Sequence, residues 1–314
     1  MMIRDAKIYV AGHTGMVGSA IVRVLKQQGY KRIITGTHRE LDLRCQADVE
    51  RFFARERPEY VFDAAARVGG IRANSEAPAD FFYDNMQMAN NLIMAAHQYG
   101  VKKFLFLGST CMYPRDCAQP MEEGFLLTGL PEYTNEGYAL AKACGSRLCA
   151  YMRRQYGDNF ISSIPANAYG PGDSFDKEHA HVIPALIRRF HAAKEQGASN
   201  VICWGDGSPL REFLYVDDLA DSCVHLMNHY NGEEPVNIGT GKEISIRSLT
   251  ELVAKIVGYA GAISWDTTRP NGAPRRLLDV SKATALGWTY KTELEEGIRL
   301  TYEDFLYHPI RAER

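Results

Sequence analysis

Three side chains in the middle of the chain have the types and spacing of an acid–base group for carbonyl chemistry. Tyr138 and Lys142 stand four residues apart in Tyr138-Ala139-Leu140-Ala141-Lys142, so on a helix the phenol and the ammonium share one face. A phenol with the ordinary pKa of ~10 is a poor acid–base at neutral pH, and a nearby cation favours the phenolate and brings it toward the working range. Ser109, just past the apolar run Lys103 to Gly108, can orient the same carbonyl oxygen. Alone, Tyr-x-x-x-Lys is common on solvated helices; its weight here comes from what precedes it.

Upstream stands Gly12-His13-Thr14-Gly15-Met16-Val17-Gly18, directly after the run Lys7 to Ala11 and at the start of an amphipathic pattern. Glycines so placed allow a tight turn, close approach of backbone to a pyrophosphate and close helix–strand packing, with a helix N-terminus facing the anion. The second run ends in Thr35-Gly36-Thr37-His38-Arg39. A carboxylate there would bind the ribose of NAD, whereas His38 and Arg39 suit the extra phosphate of NADP. Asp42 is placed to hydrogen-bond the adenine, and Ala64, past the run Tyr60 to Asp63, completes the expected cofactor contacts together with Tyr138 and Lys142.

These residues need a scaffold, and the chain supplies one. Lys7 to Ala11, Arg32 to Thr37, Tyr60 to Asp63, Lys103 to Gly108 and Phe160 to Pro165 read as strands, separated by helical patterns from about Met16 and over Gln46 to Arg57. That alternation predicts βαβ units, hence an α/β fold: a Rossmann-type doubly wound parallel sheet with a smaller C-terminal α/β substrate-binding domain. The expected boundaries are 1–166 for the dinucleotide domain, with a return segment at about 212–238, and 167–314 mainly for the substrate domain. From Asn167 onward the rhythm loosens, punctuated by Gly170-Pro171-Gly172 and Gly205-Asp206-Gly207.

Composition narrows the partners. At 314 residues, 46% hydrophobic and 24% charged, the chain has the make-up of a folded, soluble enzyme. Its 36 Lys+Arg against 38 Asp+Glu leave a net charge of −2, which gives no global field for nucleic acid or an anionic membrane. No apolar run approaches the ~20 residues of a membrane span. Seven cysteines without a Cys-x-x-Cys pair predict neither a disulfide framework nor a metal site, and a reduced, cytoplasmic setting is the expectation.

The glycine turn followed by Ser109 and Tyr138-x-x-x-Lys142 resembles the extended short-chain dehydrogenase/reductase superfamily. Cys111-Met112-Tyr113-Pro114, His181-Val182-Ile183-Pro184-Ala185-Leu186, Arg211-Glu212-Phe213, Asn237-Ile238-Gly239-Thr240-Gly241 and Pro274-Arg275-Arg276-Leu277-Leu278-Asp279 resemble, more narrowly, the GDP-L-fucose synthase family. The likeness runs from Lys7 to about Phe305. It implies epimerisation of GDP-4-keto-6-deoxy-D-mannose at C3 and C5, then reduction of the C4 ketone with NADPH. Both epimerised carbons are α to the ketone, so one carbonyl-binding pair can serve both steps.

The same resemblance maps the epimerisation base onto Cys111 and the acid onto His181; by residue type alone, Cys111 reads as a small core residue and His181 as a loop histidine. It maps the substrate contacts onto Asn167, Arg189, Trp204, Arg211 and Arg276, with Val182 and Leu186 around the guanine. Cys117, Cys144, Cys149 and His179 match no motif position. Where the family often carries arginines for the 2′-phosphate, this chain has Thr14 and His38, so NADH tolerance is the alternative to strict NADPH use. Two other readings remain open: the same chemistry on a 3-deoxy ketosugar, giving GDP-L-colitose, and C4 reduction without epimerisation. A homodimer through helices around Phe81 to Gln98 and Tyr138 to Tyr156 is a further expectation.

Overall fold

Runs of β-branched and aromatic residues covered on both faces become strands in the first half of the chain. The computed structural model describes residues 1–176, 180–269 and 271–307; His179 lies outside them. Strands β1 (Lys7–Ala11), β2 (Arg32–Ile34), β3 (Tyr60–Asp63), β4 (Lys103–Leu107) and β5 (Phe160–Pro165) alternate with helices. These are α1 (Met16–Gln27), α2 (Gln46–Glu56), α3 (Ile71–Glu76), α4 (Pro78–Gln98) and α5 (Glu136–Tyr156).

Next come β6 (Asn167–Tyr169), α6 (Val182–Glu195), β7 (Asn200–Trp204), β8 (Leu210–Arg211), β9 (Phe213–Tyr215), α7 (Val216–His229) and β10 (Val236–Ile238). The chain then runs through β11 (Ile244–Ser245), α8 (Ile246–Val257), β12 (Ala262–Asp266), β13 (Arg275–Arg276), α9 (Ser281–Ala285) and α10 (Leu294–Tyr307).

Six strands form one parallel sheet in the order β10-β5-β4-β3-β1-β2. Because successive side chains on a strand point to opposite faces, Ile8, Val10, Leu105 and Ile161 join a core beneath α1 and α7. Their neighbours Tyr9, Ala11, Phe104 and Phe106 join a second core with Val49, Phe53, Leu92 and Cys149 of α2, α4 and α5. The chain moves outward from β1 in both directions, with β2 on one side and β3 on the other, so a crevice opens at their carboxyl ends. In doubly wound sheets that switch point is where dinucleotides bind.

The segment after β9 returns to this sheet: Leu219, Cys223 and Val224 of α7 share a core with Ile21 of α1, and β10 pairs with β5. A separate core, built from Leu186, Phe190, Val253 and Phe305, holds α6, α8 and α10 over the β7–β12 pair. In a small separate sheet, β8 pairs antiparallel with β11 and parallel with β13. The second strand ends at Ile34, three residues short of the expected Thr37. Thr37 turns instead: its amide and hydroxyl both donate to the Glu40 carboxylate, at 2.9 and 2.8 Å.

Candidate active site

Backbone proximity explains the glycine turn. Gly12 has φ +74°, and a Cβ there would stand 2.7 Å from the Ala64 carbonyl oxygen; a Cβ on Gly18 would stand 2.1 Å from the Gly12 oxygen. Contacts that short leave room only for glycine, and they bring α1, β1 and β3 together around an open anion cradle. The turn closes through Gly15 N–H donating to Gly12 O at 3.0 Å. Gly12, Thr14 and Gly15 line a cleft with His38, Asp42 and Ala64. Met16 packs against the sheet core, and Val17 faces a second cleft. Among the described residues His13 Nδ1 is buried without a partner.

The far end of the first cleft carries more charge than the sequence reading anticipated. Arg44 and Arg67 line it, whereas Arg39 does not. Arg44 Nε and Nη2 donate to the two Asp42 oxygens at 3.0 and 2.9 Å, and this fork holds the carboxyl down to about 2. His38 is 72% exposed with Nδ1 3.9 Å from Asp42. A dinucleotide with its pyrophosphate on the glycine cradle fits this crevice, with a cationic rim for its adenosine end.

Ala64 and Ala66 line both clefts, so the crevice continues into the second one, of about 230 Å³. Ser109, Cys111, Tyr138, Lys142, Asn167 and His181 all face it. Ser109 leaves β4 and caps a short helical turn, Thr110–Met112, accepting from Cys111 N at 3.3 Å; the cap sets hydroxyl and thiol on the same wall. Helix α5 brings Tyr138 and Lys142. It lies close on the sheet because Gly145 has no Cβ to strike the Phe106 ring, whose Cζ would be 2.5 Å away.

Lys142 is 4% exposed, donates to the Leu107 carbonyl at 2.8 Å and stands over the Phe106 ring at 4.8 Å. Burial lowers its pKa and the Asp63 carboxylate raises it. Asp63, at the end of β3 and 1% exposed, is pushed up to about 6 by burial, with Lys142 and the Ala65 N–H pulling it down. The Tyr138 phenol departs from expectation: burial and then Cys111 push it up, and Ser109 is the hydrogen-bonding neighbour that pulls it down. The lysine charge is shared instead between Leu107 and Asp63, so its effect on the phenol is not the dominant one.

His181 is exposed at the N-terminus of α6, and the nearby Asp173 is 6% exposed. Burial pushes Asp173 up to about 6 while His181 pulls it down. Asn167 donates to the Glu212 carbonyl at 3.0 Å. Arg211 and Arg276 are register partners on β8 and β13. Arg189 stands on α6 and Trp204 at the end of β7: Arg189 Nη1 donates to Ile202 O at 3.2 Å, and Trp204 is 65% exposed with Arg269 over its ring. Leu186 is buried in the core beneath α6, with Val182 packed against it. Asp63, Asn74, Asn135 and Asp173 were missed by sequence reasoning, which had no motif to attach to isolated polar residues.

A model of the NAD dependent epimerase/dehydratase family matches residues 8–239. GDP-L-fucose synthase 1 of Arabidopsis thaliana is 55% identical over 306 residues, covering 98% of this chain and 95% of its own. The GDP-L-fucose synthase of Escherichia coli (strain K12) is 48% identical over 309 residues, covering 96% of each chain. The crystal structure of a GDP-L-fucose synthetase from Naegleria fowleri bound to NADP superposes with a TM-score of 0.93 at 30% identity, over 100% of this chain and 96% of that one. Likeness of this degree along almost the whole of each chain settles the family: the protein belongs to the NAD dependent epimerase/dehydratase family, on the branch of the GDP-L-fucose synthases.

Proposed function

We propose that this chain converts GDP-4-keto-6-deoxy-D-mannose to GDP-L-fucose at one site, by epimerisation at C3 and C5 followed by reduction at C4. The observation that carries the reading is the facing of Ser109, Cys111, Tyr138, Lys142 and His181 onto one cleft continuous with the glycine cradle. Gly12, Gly15 and Gly18 would hold the cofactor's pyrophosphate, and Tyr138 and Lys142 its nicotinamide ribose. NADPH, when bound, supplies the hydride for C4.

In epimerisation the Cys111 thiolate takes the proton from the carbon α to the ketone, and the C–H electron pair moves into an enolate. The hydroxyls of Ser109 and Tyr138 stabilise the charge developing on O4. His181 returns a proton to the opposite face, inverting the carbon, and thiol and imidazole then re-equilibrate with solvent. In reduction Tyr138 gives its proton to the C4 oxygen, with Lys142 one helical turn on holding the nicotinamide ribose beside it. Arg211 and Arg276 take the diphosphate.

In this reading residues 1–166 with the return segment 212–238 bind the cofactor, and most of 167–314 binds the nucleotide sugar. Among the described residues no helix is long and apolar enough to cross a membrane, and we place the enzyme in the cytoplasm as a homodimer. Support for the dimer comes from the exposed Phe82, Tyr83, Met94 and Tyr151 on the paired helices α4 and α5. Replacing Tyr83 and Tyr151 with glutamate shifts a dimer to monomer in size-exclusion chromatography, and an unchanged profile moves the interface elsewhere.

The decisive experiment is turnover of GDP-4-keto-6-deoxy-D-mannose in D₂O with NADPH or NADH, read by NMR and absorbance. Deuterium at C3 and C5 of a GDP-L-fucose product is the expected result. Reduction without deuterium leaves a simple C4 reductase, and turnover only of the 3-deoxy ketosugar points to GDP-L-colitose.

A further inference from the structure

A thiol removes a proton from carbon only as its anion, and a free thiol of ordinary pKa ~8.5 is only a few per cent ionised at neutral pH. A hydrogen-bond donor aimed at a sulfur favours that anion. Asn135 ends the short helical turn Tyr133–Asn135 that leads into α5, and its Nδ2 stands 3.1 Å from Cys111 Sγ. Both residues line the catalytic cleft. Among the described residues this amide is the side-chain donor that reaches the sulfur.

We infer that Asn135 is a positioning residue for epimerisation: its amide N–H donates to Cys111 and favours the cleft-facing thiolate over the thiol. The inference rests on the reading of Cys111 as the epimerisation base. A donor to the charged form of an acid lowers its pKa, and a thiolate has lone pairs to accept where a thiol has little pull. The opposite end of the same amide supports the assignment. Among the described residues Asn135 Oδ1 is buried with no partner, a desolvation cost that an apolar side chain at this position would avoid.

Ser109 and Asn135 thereby hold the two ends of one unit. Ser109 accepts from the Cys111 backbone N–H at 3.3 Å and fixes where the residue stands, and Asn135 acts on its sulfur. Tyr138 follows Asn135 by three residues, at the start of the helix that this turn introduces. One short segment therefore supplies both the partner of the epimerisation base and the proton donor of reduction.

The test uses Asn135→Asp, which keeps the shape and reverses the electrostatics, and Asn135→Ala, which removes the donor. Two readouts report on the sulfur itself. One is the pH midpoint of iodoacetamide alkylation of Cys111, followed by peptide mass spectrometry so that Cys45 and Cys144 are scored apart. The other is solvent deuterium wash-in at C3 and C5 of the ketosugar without NADPH. The expected result is a midpoint raised by about one pH unit or more, hence alkylation and wash-in about tenfold slower at pH 7. KM for the ketosugar stays within about twofold, and raising the pH restores the rate of the alanine variant.

Unchanged midpoint and wash-in in both variants, beside a Cys111→Ser control that has lost wash-in, overturn the role of Asn135 and leave the base in place. Full wash-in by Cys111→Ser overturns the base assignment and this inference together.

Discussion

Arg211 and Arg276 are Cα partners in the parallel pairing of β8 with β13, and among the described residues neither is joined to a carboxylate. Arg211 donates to its neighbour's carbonyl, Leu210 O, at 2.8 Å, and Arg276 to Pro114 O at 3.4 Å. Burial and then the Arg276 charge lower the Arg211 pKa. Two like charges held together in partial burial repel each other, and an anion with several oxygens relieves both at once.

Replacing either arginine with alanine is therefore expected to raise KM for the nucleotide sugar about 10–100-fold, equivalent to about 1.4–2.7 kcal/mol, with a smaller change in kcat. The variants should melt no lower than the parent, because each removes a repulsion. Arg211→Lys restores little, since an ammonium lacks the planar fork. Steady-state kinetics with the ketosugar and thermal melts check both points; unchanged KM in both alanine variants would place the diphosphate elsewhere.

A second prediction concerns pH. Asp63 is pushed up to about 6 in the folded protein from an ordinary 3.8, so folding disfavours its ionised form. Its contribution to stability is full below pH 3.8 and is lost as the pH rises through 6. Asp63→Asn removes that slope, and urea midpoints of the two proteins at pH 4.5 and pH 7 should converge or cross in the variant's favour at the higher pH. The same substitution takes away the carboxylate that raises the Lys142 pKa. The alkaline fall of ketone reduction should consequently begin at lower pH in the variant, which a pH–rate profile of kcat reads directly.

The parts of this molecule legible from sequence are those written in local pattern. Strands β1, β3 and β5 coincide with short runs rich in apolar residues because both faces of the sheet are covered. The Tyr138–Lys142 pair was legible because four residues make one helical turn. Cys111 and His181 had no such signal and were placed only through resemblance. Asn135 and Asp63 were not legible at all: Asn135 meets Cys111 across 24 residues, and Asp63 meets Lys142 only once β3 and α5 are packed against β4. Pattern also leaves open which way a side chain faces in Leu186 and Trp204: α6 buries Leu186 in its core, and Trp204 at the end of β7 is exposed.

Cofactor preference gives a third prediction. Thr14 and His38 face the first cleft, but the Arg44 charge there is shared with Asp42 at 2.9 Å and Asp84 at 3.7 Å. Thr14→Arg adds an unshared cation at the glycine turn, and the ratio of kcat/KM for NADPH over NADH should rise about tenfold, or ~1.4 kcal/mol. Arg44→Ala should lower that ratio several-fold, whereas Arg39→Ala should leave it within about twofold because its side chain is exposed outside the cleft. A large fall in Arg39→Ala would make that residue the phosphate contact instead.

The last prediction bears on what keeps the two sides of the sheet joined. Lys103 opens β4 and is 4% exposed, and its ammonium donates to Leu226 O at 3.0 Å, Met227 O at 2.9 Å and Asn231 Oδ1 at 3.1 Å, with Tyr230 O as a further acceptor. These carbonyls are the open C-terminus of α7, the helix that delivers β10 to the sheet edge. A helix end buried without donors leaves acceptors unsatisfied, each worth about 1–3 kcal/mol. Lys103→Met fills the space but supplies no donor, so a loss of about 3–5 kcal/mol is expected. At about 2 °C per kcal/mol for a chain of this size, the melting temperature should fall by about 6–10 °C. Because the Lys103 contacts are at the C-terminal end of α7, whereas the helix meets the catalytic cleft through Leu219 near its start, kcat of the folded fraction should hold at low temperature. A variant that melts with the parent would mean that water satisfies these carbonyls.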